Sequence, residues 1–570
     1  MPDPAASRWP DRIAAVGVDV AVIGVFILLA VWVMRNLWAD PAHLDPSANT
    51  SDPAFFEWAL RHAARIFTAG EHPFLTSRLN APYGVNLLAN TGLLGLTVPL
   101  VPVTLLFGPS VSFVLMLTLG LAATASVWYV VLYRYVVRQR VAAALGGGFA
   151  GFAPGLVNHA NAHPNLVAQF LIPLIIWRAL SLRTVRDGVL LGLLVTWQAF
   201  INEELLFLTA LAAGIFLAAL AAQRPVEVRE RLRPFLTGLG VAALTAGVLL
   251  AYPIWFQFFG PQHYRGLPDF VLRYGADLAS YPAFPKLSLA HGDGTVSPQP
   301  EENTFFGAPL LAALAVIVVW LWRRAAVRAL ALVGVVFFVL SLGAVANFHG
   351  KPVLTGAPWE WLNKLPLFDS VLPIRLGLVL VPVIAVLLAY SVEHALRYRF
   401  GGPWLVGLAV VLLPLLPVPI PVQARPPVPV FFTGGTWRNY VTGDQAIVSA
   451  DLTVWYGGIT AMRWDTATGQ GYRMVGGYFL GPDASGKGGY GTVNLPTANL
   501  LGGVAGNGGT PAIGSAEIAQ ARTDVRTWKA SIIVLAPDAP HRDDLRLTLT
   551  ALFGPGQEVS DVVLWDVRSY

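Results

Sequence analysis

The sequence predicts an all-α polytopic membrane bundle of about eleven transmembrane helices, followed by a C-terminal α/β or α+β domain outside the membrane. The first observation is composition: 55% of the residues are hydrophobic and only 12% are charged, about half the charged fraction of soluble domains. The second is that the apolar residues fall into blocks of about 17–22, long enough to cross a hydrocarbon core as helices. The third is the chain after residue 421, where Gly, Thr, Asp and Asn increase and no further apolar block follows.

Arginines between the apolar blocks predict the orientation. Cytoplasmic loops collect Lys and Arg, and with a cytoplasmic N-terminus every second short connection does so, beginning with Arg134, Arg138 and Arg140. The segment from Leu87 to Phe107 is placed as a re-entrant or surface-lying element, because it contains prolines and a crossing there would reverse every later arginine cluster. The predicted spans are residues 15–37, 111–133, 141–157, 166–182, 188–201, 204–222, 235–256, 305–322, 328–346, 374–392 and 403–420.

These spans divide the chain into a transmembrane domain, 1–421, which includes a first outer loop at 38–110, and an extracytoplasmic soluble domain, 422–570. Only five of the 38 basic residues are Lys, a bias typical of GC-rich codons, so we expect a multi-pass protein of a bacterial plasma membrane. The chain contains no Cys, which excludes disulfides and thiolate metal sites. The net charge of +5 comes mostly from the cytoplasmic arginines and does not indicate nucleic-acid binding.

The C-terminal domain carries the patterns of a small mixed fold. The glycine-rich stretch 486–514 lacks phosphate-loop spacing and is interpreted as a loop. Tyr472, Arg473 and Tyr478 offer faces that could stack on sugars or fill a hydrophobic core. Strands are predicted at Ala530–Ala536 and Asp561–Val567, with a helix at His541–Phe553 between them.

The first outer loop contains an amphipathic pattern that begins at Asp52-Pro53. Phe56, Leu60, Ala63 and Phe67 share one face, and Glu57, Arg61 and Arg65 share another, which predicts a helix lying in the membrane interface. Asp52 has two compatible interpretations. It could cap the helix, with Pro53 in the first helical position, or it could be a general base fixed at the helix start.

One span, a long outer loop with Asp52 near a helix, and the motif Pro73-Phe74 … Leu79-Asn80-Ala81-Pro82-Tyr83-Gly84-Val85-Asn86 resemble the polyprenyl-phosphate-dependent integral membrane glycosyltransferases of the GT-C fold. The similarity extends to uncharacterised actinobacterial membrane proteins assigned to that class. It covers the topology of the whole chain, including the C-terminal domain.

The resemblance implies an inverting transfer of sugar from a polyprenyl-phosphate donor to a cell-envelope glycan or lipid acceptor, in contact with membrane lipids. It also implies that an Asp of the first outer loop is the catalytic base, and Asp52 fits that position. Many members carry a second acidic residue, for which this loop offers Glu57 and Glu71. We expect no cofactor, because arginine can stabilise a leaving monophosphate, and leave a divalent metal open.

Other polar residues stand near the outer ends of predicted spans. Glu203 and Glu204 lie between two spans, where carboxylates are functional candidates or are simply hydrated. His159 and His163 have the spacing of a helical metal pair. Pro164 instead favours a turn at this position. Such a turn could contact sugar hydroxyls or a phosphate, or could have no specific role. Arg375 could clamp a lipid phosphate or set topology. Glu302 is a weaker candidate in a sequence, Glu301-Glu302, that could also cap a helix.

Two other classes of function stay open on the sequence. A lipid or glycan transporter or flippase would favour inverted repeats and charges within spans, whereas here no repeat is evident and the polar groups gather on one side. A non-catalytic envelope assembly protein would use the C-terminal domain to bind a partner.

Overall fold

The computed structural model describes residues 9–91, 93–268, 273–398, 401–491 and 495–570. The chain divides into two compact units, and each is described by itself. Unit 1 comprises Met1–Ala39, Val114–Leu249 and Asp269–Pro421. Unit 2 comprises Asp40–Phe113, Leu250–Pro268 and Val422–Tyr570, so most of the predicted first outer loop belongs to the same unit as the C-terminal segment.

Apolar helices account for most of the chain up to residue 415, which makes this a multi-pass membrane protein by length and composition. Within the described ranges, six helical segments are long and apolar enough to cross a membrane. They are Val16–Ala39, Pro109–Val136, Arg140–His159, Glu203–Gln223, Pro225–Phe259 and Pro373–Ala395. Four shorter apolar segments are Pro164–Leu180, Ala308–Trp320, Ala325–Ser341 and Gly401–Leu415.

Six of the eleven predicted spans therefore coincide with helical segments long enough to cross a membrane, and each of the other five predicted positions also contains a helix. Ala308–Trp320 has 13 residues and reaches about 20 Å at about 1.5 Å per residue, short of a hydrocarbon core of about 30 Å. The predicted span 188–201 is the helix Val185–Ala199. Apolar character continues beyond the helix start at residues 305–307, so the sequence overestimates the length of helix Ala308–Trp320.

The helices and short elements of the chain up to residue 421 are further divided by prolines and turns. The apolar segment 87–107 contains two short helices, Leu94–Thr97 and Val101–Phe107, which confirms that it does not form one spanning helix. The remaining bounds are helices Trp9–Ala39, Ser51–Ala69, Pro109–Val131, Leu132–Val136 (π), Arg140–Phe152, Pro154–His159, Pro164–Val167, Ile172–Leu180, Leu278–Ser280 (3-10), Trp359–Leu362, Phe368–Ser370 (3-10), Pro373–Val379 (3-10), Leu380–Ala395, Gly401–Leu412 and Leu413–Leu415 (3-10), and strands Leu44–Pro46, Leu75–Thr76, Val85–Asn86, Val345–Phe348 and Lys351–Thr355.

Small residues allow three helices of unit 1 to pack closely. A Cβ on Gly146 would lie 2.8 Å from the carbonyl oxygen of Ala385, and one on Gly147 would lie 2.7 Å from the carbonyl oxygen of Ala125. Helix Arg140–Phe152 therefore approaches the backbones of Leu380–Ala395 and Pro109–Val131. Close approach through small residues is a common way for helices to associate in membranes.

Unit 2 contains a five-stranded mixed sheet covered by helices. Strands Ala530–Leu535, Ala446–Ser449 and Arg473–Met474 run parallel in that order, and Val562–Asp566 is antiparallel on the other side of Ala530–Leu535. The predicted C-terminal strands and the helix Arg542–Phe553 between them are confirmed. The other elements are strands Val422–Ala424, Leu480–Pro482, Gly488–Tyr490 and Gln557–Val559, and helices Val430–Thr433, Thr436–Asn439 (3-10), Val454–Gly458 (π), Ile459–Ala467, Pro496–Asn507 and Ser515–Thr527.

Two sequence interpretations in unit 2 are wrong. The stretch interpreted as a glycine-rich loop contains the helix Pro496–Asn507, because Ala498, Leu501 and Val504 recur at helical spacing and are buried. The helix Ser51–Ala69 is largely enclosed in protein and does not present a charged face to water, since Glu57 is only 4% exposed.

A buried ionic cluster joins the first outer loop to the segment after residue 421. Strand Leu44–Pro46 pairs antiparallel with Val422–Ala424. Arg425 contacts Asp45 at 2.9 Å and Glu57 at 2.5 Å, and Arg463 contacts Asp45 at 2.7 Å. Buried charges need such partners, because an unpaired one is strongly destabilising. Glu57 thus pairs with Arg425 from a distant part of the sequence.

Asp465 gives unit 2 a pH-dependent stability. Its side chain is buried and accepts a hydrogen bond of 2.8 Å from Trp58 Nε1. Burial raises the pKa of Asp465 to about 7, from about 3.9 in an unfolded chain. Between these values the folded state binds the proton more tightly, so stability falls as pH rises through the window from about 4 to 7.

We therefore expect Asp465→Asn to flatten the dependence of melting temperature on pH between about pH 4 and 7. The asparagine cannot ionise and its amide oxygen still accepts from Trp58. The measurement is the melting temperature of purified protein at several pH values, with Asp543→Asn on the C-terminal surface as the control. A slope equal to the wild-type slope would contradict the assignment.

Candidate functional site

The predicted site residues fall into both compact units. Asp52 belongs to unit 2. The residues proposed to bind substrate belong to unit 1, and they are Arg375, Glu203, Glu204, His159, His163 and Glu302.

Asp52 stands in the first turn of helix Ser51–Ala69 and is not its capping residue. The capping position is Thr50, which makes no side-chain capping bond. The Asp52 carboxylate instead accepts hydrogen bonds from Asn49 Nδ2 at 2.6 Å and from the Tyr478 hydroxyl at 2.8 Å. The capping interpretation is wrong, and the carboxylate is held by side chains from its own turn and from the C-terminal segment.

Tyr478 and its neighbours place Asp52 beside a group of aromatic rings. The Tyr478 ring stacks on Tyr490 at 5.8 Å and 19°, and Trp455 lies 5.4 Å from Tyr478 and 5.0 Å from Tyr490. We call Trp455, Tyr478 and Tyr490 the aromatic trio. Burial raises the pKa of the Tyr478 phenol, and the Asp52 carboxylate raises it further. The phenol therefore stays protonated and can donate to Asp52 throughout the physiological range.

Two members of the aromatic trio follow the carboxyl ends of parallel strands. Trp455 follows strand Ala446–Ser449 and Tyr478 follows strand Arg473–Met474, its parallel neighbour. Ligands of open α/β sheets commonly bind at this edge. Trp455 also lies in a π-helical turn, Val454–Gly458, a local geometry that is frequent at functional sites.

Sequence reasoning identified Tyr478 as a possible sugar-stacking residue but missed Asn49, Trp455 and Tyr490. Tyr478 and Asp52 are 426 residues apart in the chain, and no local pattern signals such a contact. Asn49 is three residues before Asp52 and could have been found from its ability to form an Asx turn. Tyr472 is 3% exposed and lies against Phe432 and Trp437, so it belongs to a buried aromatic cluster.

In unit 1, Arg375 joins two carboxylates in a buried ionic network. Its Nη1 donates to Glu204 Oε2 at 2.8 Å, and its Nη2 donates to Glu301 Oε1 at 2.7 Å. Nε also donates to Glu301, at 3.0 Å. Burial raises the pKa of Glu301, but the Arg375 guanidinium together with His159 and His163 outweighs burial and holds that pKa below its usual range. All three guanidinium nitrogens thus have carboxylate partners.

The predicted histidines extend this network. His159 Nε2 lies 3.7 Å from Glu301 Oε2, and the Nδ1 atoms of His159 and His163 lie 3.1 Å apart. His159 is fully buried and His163 is half-buried. The structure therefore brings together Arg375, Glu204, His159 and His163, as well as Glu301, which the sequence suggested only as a helix cap.

The two remaining candidates are Glu302 and Glu203. Glu302 is 3% exposed, and its carboxylate accepts from the backbone N–H of Lys286 at 3.0 Å. Burial raises the pKa of Glu302, and contacts with Lys286 partly offset this. Glu203 is exposed at the start of helix Glu203–Gln223. Among the described residues, no group of three or more His, Cys, Asp or Glu side chains is arranged to hold a metal ion.

The fold and these sites define a multi-pass helical membrane protein with a mixed α/β region in unit 2. Residues 58–411 match the family described as "Domain of unknown function (DUF6311)". The chain belongs to this family. No curated protein matches the sequence.

Solved structures similar to the chain include the oligosaccharyltransferase of Archaeoglobus fulgidus. Its apo form has 13% identity and a TM-score of 0.46, over 90% of this chain and 69% of that chain. The form tethered to an acceptor peptide has 13% identity and a TM-score of 0.45, over 90% and 68%. The complex of AglB with an inhibitory peptide and a dolichol-phosphate has 12% identity and a TM-score of 0.44, over 90% and 69%.

Proposed function

We propose that this protein is a GT-C-type membrane glycosyltransferase that moves a sugar from a polyprenyl-phosphate donor to an extracytoplasmic cell-envelope acceptor, with Asp52 as general base. The observation that carries the proposal is the Asp52 carboxylate, which is half-buried, held by Asn49 and Tyr478, and next to the aromatic trio. A positioned carboxylate beside ring faces suits a substrate with hydroxyl groups and apolar C–H faces. The resemblance of the first outer loop to such enzymes supports the same assignment.

In the proposed reaction Asp52 accepts the proton of an acceptor hydroxyl as that oxygen attacks the anomeric carbon. The new glycosidic bond forms while the bond from the anomeric carbon to the phosphate oxygen breaks. Polyprenyl phosphate leaves with the electron pair, and the anomeric configuration is inverted. The hydrogen bonds from Asn49 and Tyr478 fix the direction of the carboxylate, which is the condition for efficient general base catalysis.

The network around Arg375 enters the proposal in a restricted role. A lipid phosphate is a natural partner of an arginine, but Glu204 and Glu301 occupy all three guanidinium nitrogens. Arg375 is therefore a proposed phosphate ligand only in a state in which one carboxylate is protonated or displaced. The other predicted substrate contacts stay proposals: Glu203, Glu204, His159, His163 and Glu302.

The test is a transfer assay with the purified full-length protein in liposomes. The donors are polyprenyl-phosphate-linked sugars carrying a radiolabel, and the acceptors are cell-envelope glycan and lipid fractions. The proposal expects labelled glycoside and free polyprenyl phosphate to form in equal amounts. Movement of labelled lipid between leaflets without any acceptor, and without release of polyprenyl phosphate, would instead support the flippase alternative.

The absence of Cys from the sequence allows a clean test of the proposed sidedness. Ser515 is exposed at the start of a helix in unit 2. Val226 is 74% exposed and lies in the arginine-rich connection between predicted spans 204–222 and 235–256, which the topology predicts to be cytoplasmic. We expect a membrane-impermeant maleimide to label Ser515→Cys in intact cells, and Val226→Cys only after lysis. The reverse pattern would place unit 2 in the cytoplasm and remove the basis for an extracytoplasmic acceptor.

A further inference from the structure

The aromatic trio has a geometry that the general base role of Asp52 does not require. Trp455 is 57% exposed, although its ring lies against Tyr478 and Tyr490. An indole held in this way by two other rings keeps an open surface while its position stays fixed. Large apolar surfaces left open in a defined geometry usually mark a binding site.

Glycine permits this arrangement. Gly491 has a φ of +52°, and a Cβ there would lie 2.6 Å from Val454 Cγ2 and 2.8 Å from the carbonyl oxygen of Gly477. Any larger residue would push the strand Gly488–Tyr490 away from the turn that carries Trp455. The close approach therefore brings Tyr490 to Trp455.

Polar groups lie next to the same rings. The hydroxyl of Tyr478 donates to Asp52, so the ring cluster ends at a carboxylate. Trp455 also borders a cavity of about 130 Å³, which Thr50, Thr460 and Arg463 line with it. This space accommodates a few water molecules or part of one sugar ring. Ring faces and hydroxyl-binding groups thus adjoin.

We infer that the aromatic trio is a carbohydrate subsite that stacks the apolar face of a pyranose ring, with its hydroxyl groups directed to Asp52 and the adjoining cavity. A pyranose presents C–H groups on one face, which suit the negative face of an aromatic ring, and hydroxyls at its edge. That this sugar is the acceptor rests on the proposed function. Binding itself does not depend on turnover.

A membrane surface is the other partner that exposed Trp and Tyr side chains can contact. The carboxylate argues against it, because a lipid layer over these rings would also remove water from Asp52. A lipid contact would need only ring faces, whereas the trio is coupled to a carboxylate by a hydrogen bond.

The test uses full-length protein in detergent with methyl pyranosides of glucose, galactose and mannose as probes. Saturation-transfer NMR reports which ring protons contact the protein, and titration gives the affinity. We expect transfer to the C–H protons of one face for at least one probe. Trp455→Ala should weaken binding at least tenfold, and Trp455→Phe should largely restore it. Trp361→Ala, at a tryptophan in unit 1 that is 63% exposed, is the matched control.

The outcomes separate this inference from the proposed function. Wild-type affinity in Trp455→Ala, or no binding of any probe to the wild type, would overturn the subsite. In liposome-embedded protein, tryptophan fluorescence that lipids with brominated acyl chains quench in the wild type but not in Trp455→Ala, with glycoside binding unchanged, would assign the rings to the membrane. Glycoside binding that depends on Trp455 in a protein that transfers no sugar would support the subsite and contradict only the proposed function.

Discussion

Asp52→Asn is expected to reduce sugar transfer by about 10²- to 10⁴-fold, the contribution typical of a general base, while the protein folds normally. Asparagine has the same shape but cannot accept the proton of the acceptor hydroxyl. It also presents an amide nitrogen to Asn49 or Tyr478, which now donate to a carboxylate. Donor binding should change little, because the loss concerns the proton transfer, so the effect should appear in kcat more than in KM.

Two variants sharpen this expectation. Tyr478→Phe keeps the stacked ring but removes the hydroxyl that orients Asp52, and we expect a smaller loss, about tenfold. Glu558→Gln makes the same chemical change at a carboxylate on the surface of unit 2 and should leave transfer unchanged. Wild-type turnover in Asp52→Asn would show that another group removes the proton, and equal losses in all three variants would indicate a folding defect.

Arg375→Met is expected to destabilise the protein by about 3–5 kcal/mol, because it leaves Glu204 and Glu301 buried without their shared cation. The side chain of Met is similar in length and fits an apolar surrounding, so lost volume contributes little. The measurement is thermal unfolding of detergent-solubilised protein, followed by fluorescence or by loss of the monodisperse peak. A low yield of folded protein would indicate a still larger loss of stability.

A variant in which the whole ionic network is uncharged provides the control. The triple change Arg375→Met, Glu204→Gln and Glu301→Gln removes both carboxylates together with the cation, and we expect it to recover most of the lost stability. Arg323→Met, at an exposed arginine of unit 1, should shift the melting temperature little. Wild-type stability of Arg375→Met alone would mean that the two carboxylates have other partners, and that Arg375 is available to a phosphate.

Local patterns in the sequence were enough to predict where helices and C-terminal strands occur. Apolar blocks identified the long apolar helices up to residue 415, and strands Ala530–Leu535 and Val562–Asp566 were predicted close to their observed bounds. The helix in the predicted span 305–322 was overestimated in length, because apolar residues at 305–307 precede its first helical residue, Ala308. The helix Pro496–Asn507 was missed because its glycines hid the buried positions.

The chemistry of the sites depends on contacts between distant parts of the chain, and here local patterns gave only one member of each contact. Asp52 was recognised from its place at a helix start, but its partner Tyr478 comes from the far end of the sequence. Arg375 was recognised as unusual, but the sequence did not distinguish Glu301, which contacts it, from Glu302, which does not. Glu57 was assigned to water and is instead paired with Arg425 in the interior of unit 2.

A cryo-EM map of the full-length Asp52→Asn protein with a polyprenyl-phosphate-linked sugar tests the catalytic assignment most directly. We expect the anomeric carbon of the donor beside residue 52, with a gap that fits one acceptor hydroxyl oxygen within about 3.2 Å of the side chain. A well-ordered donor with its anomeric carbon far from residue 52 would contradict it, because a general base cannot act on a hydroxyl it does not reach.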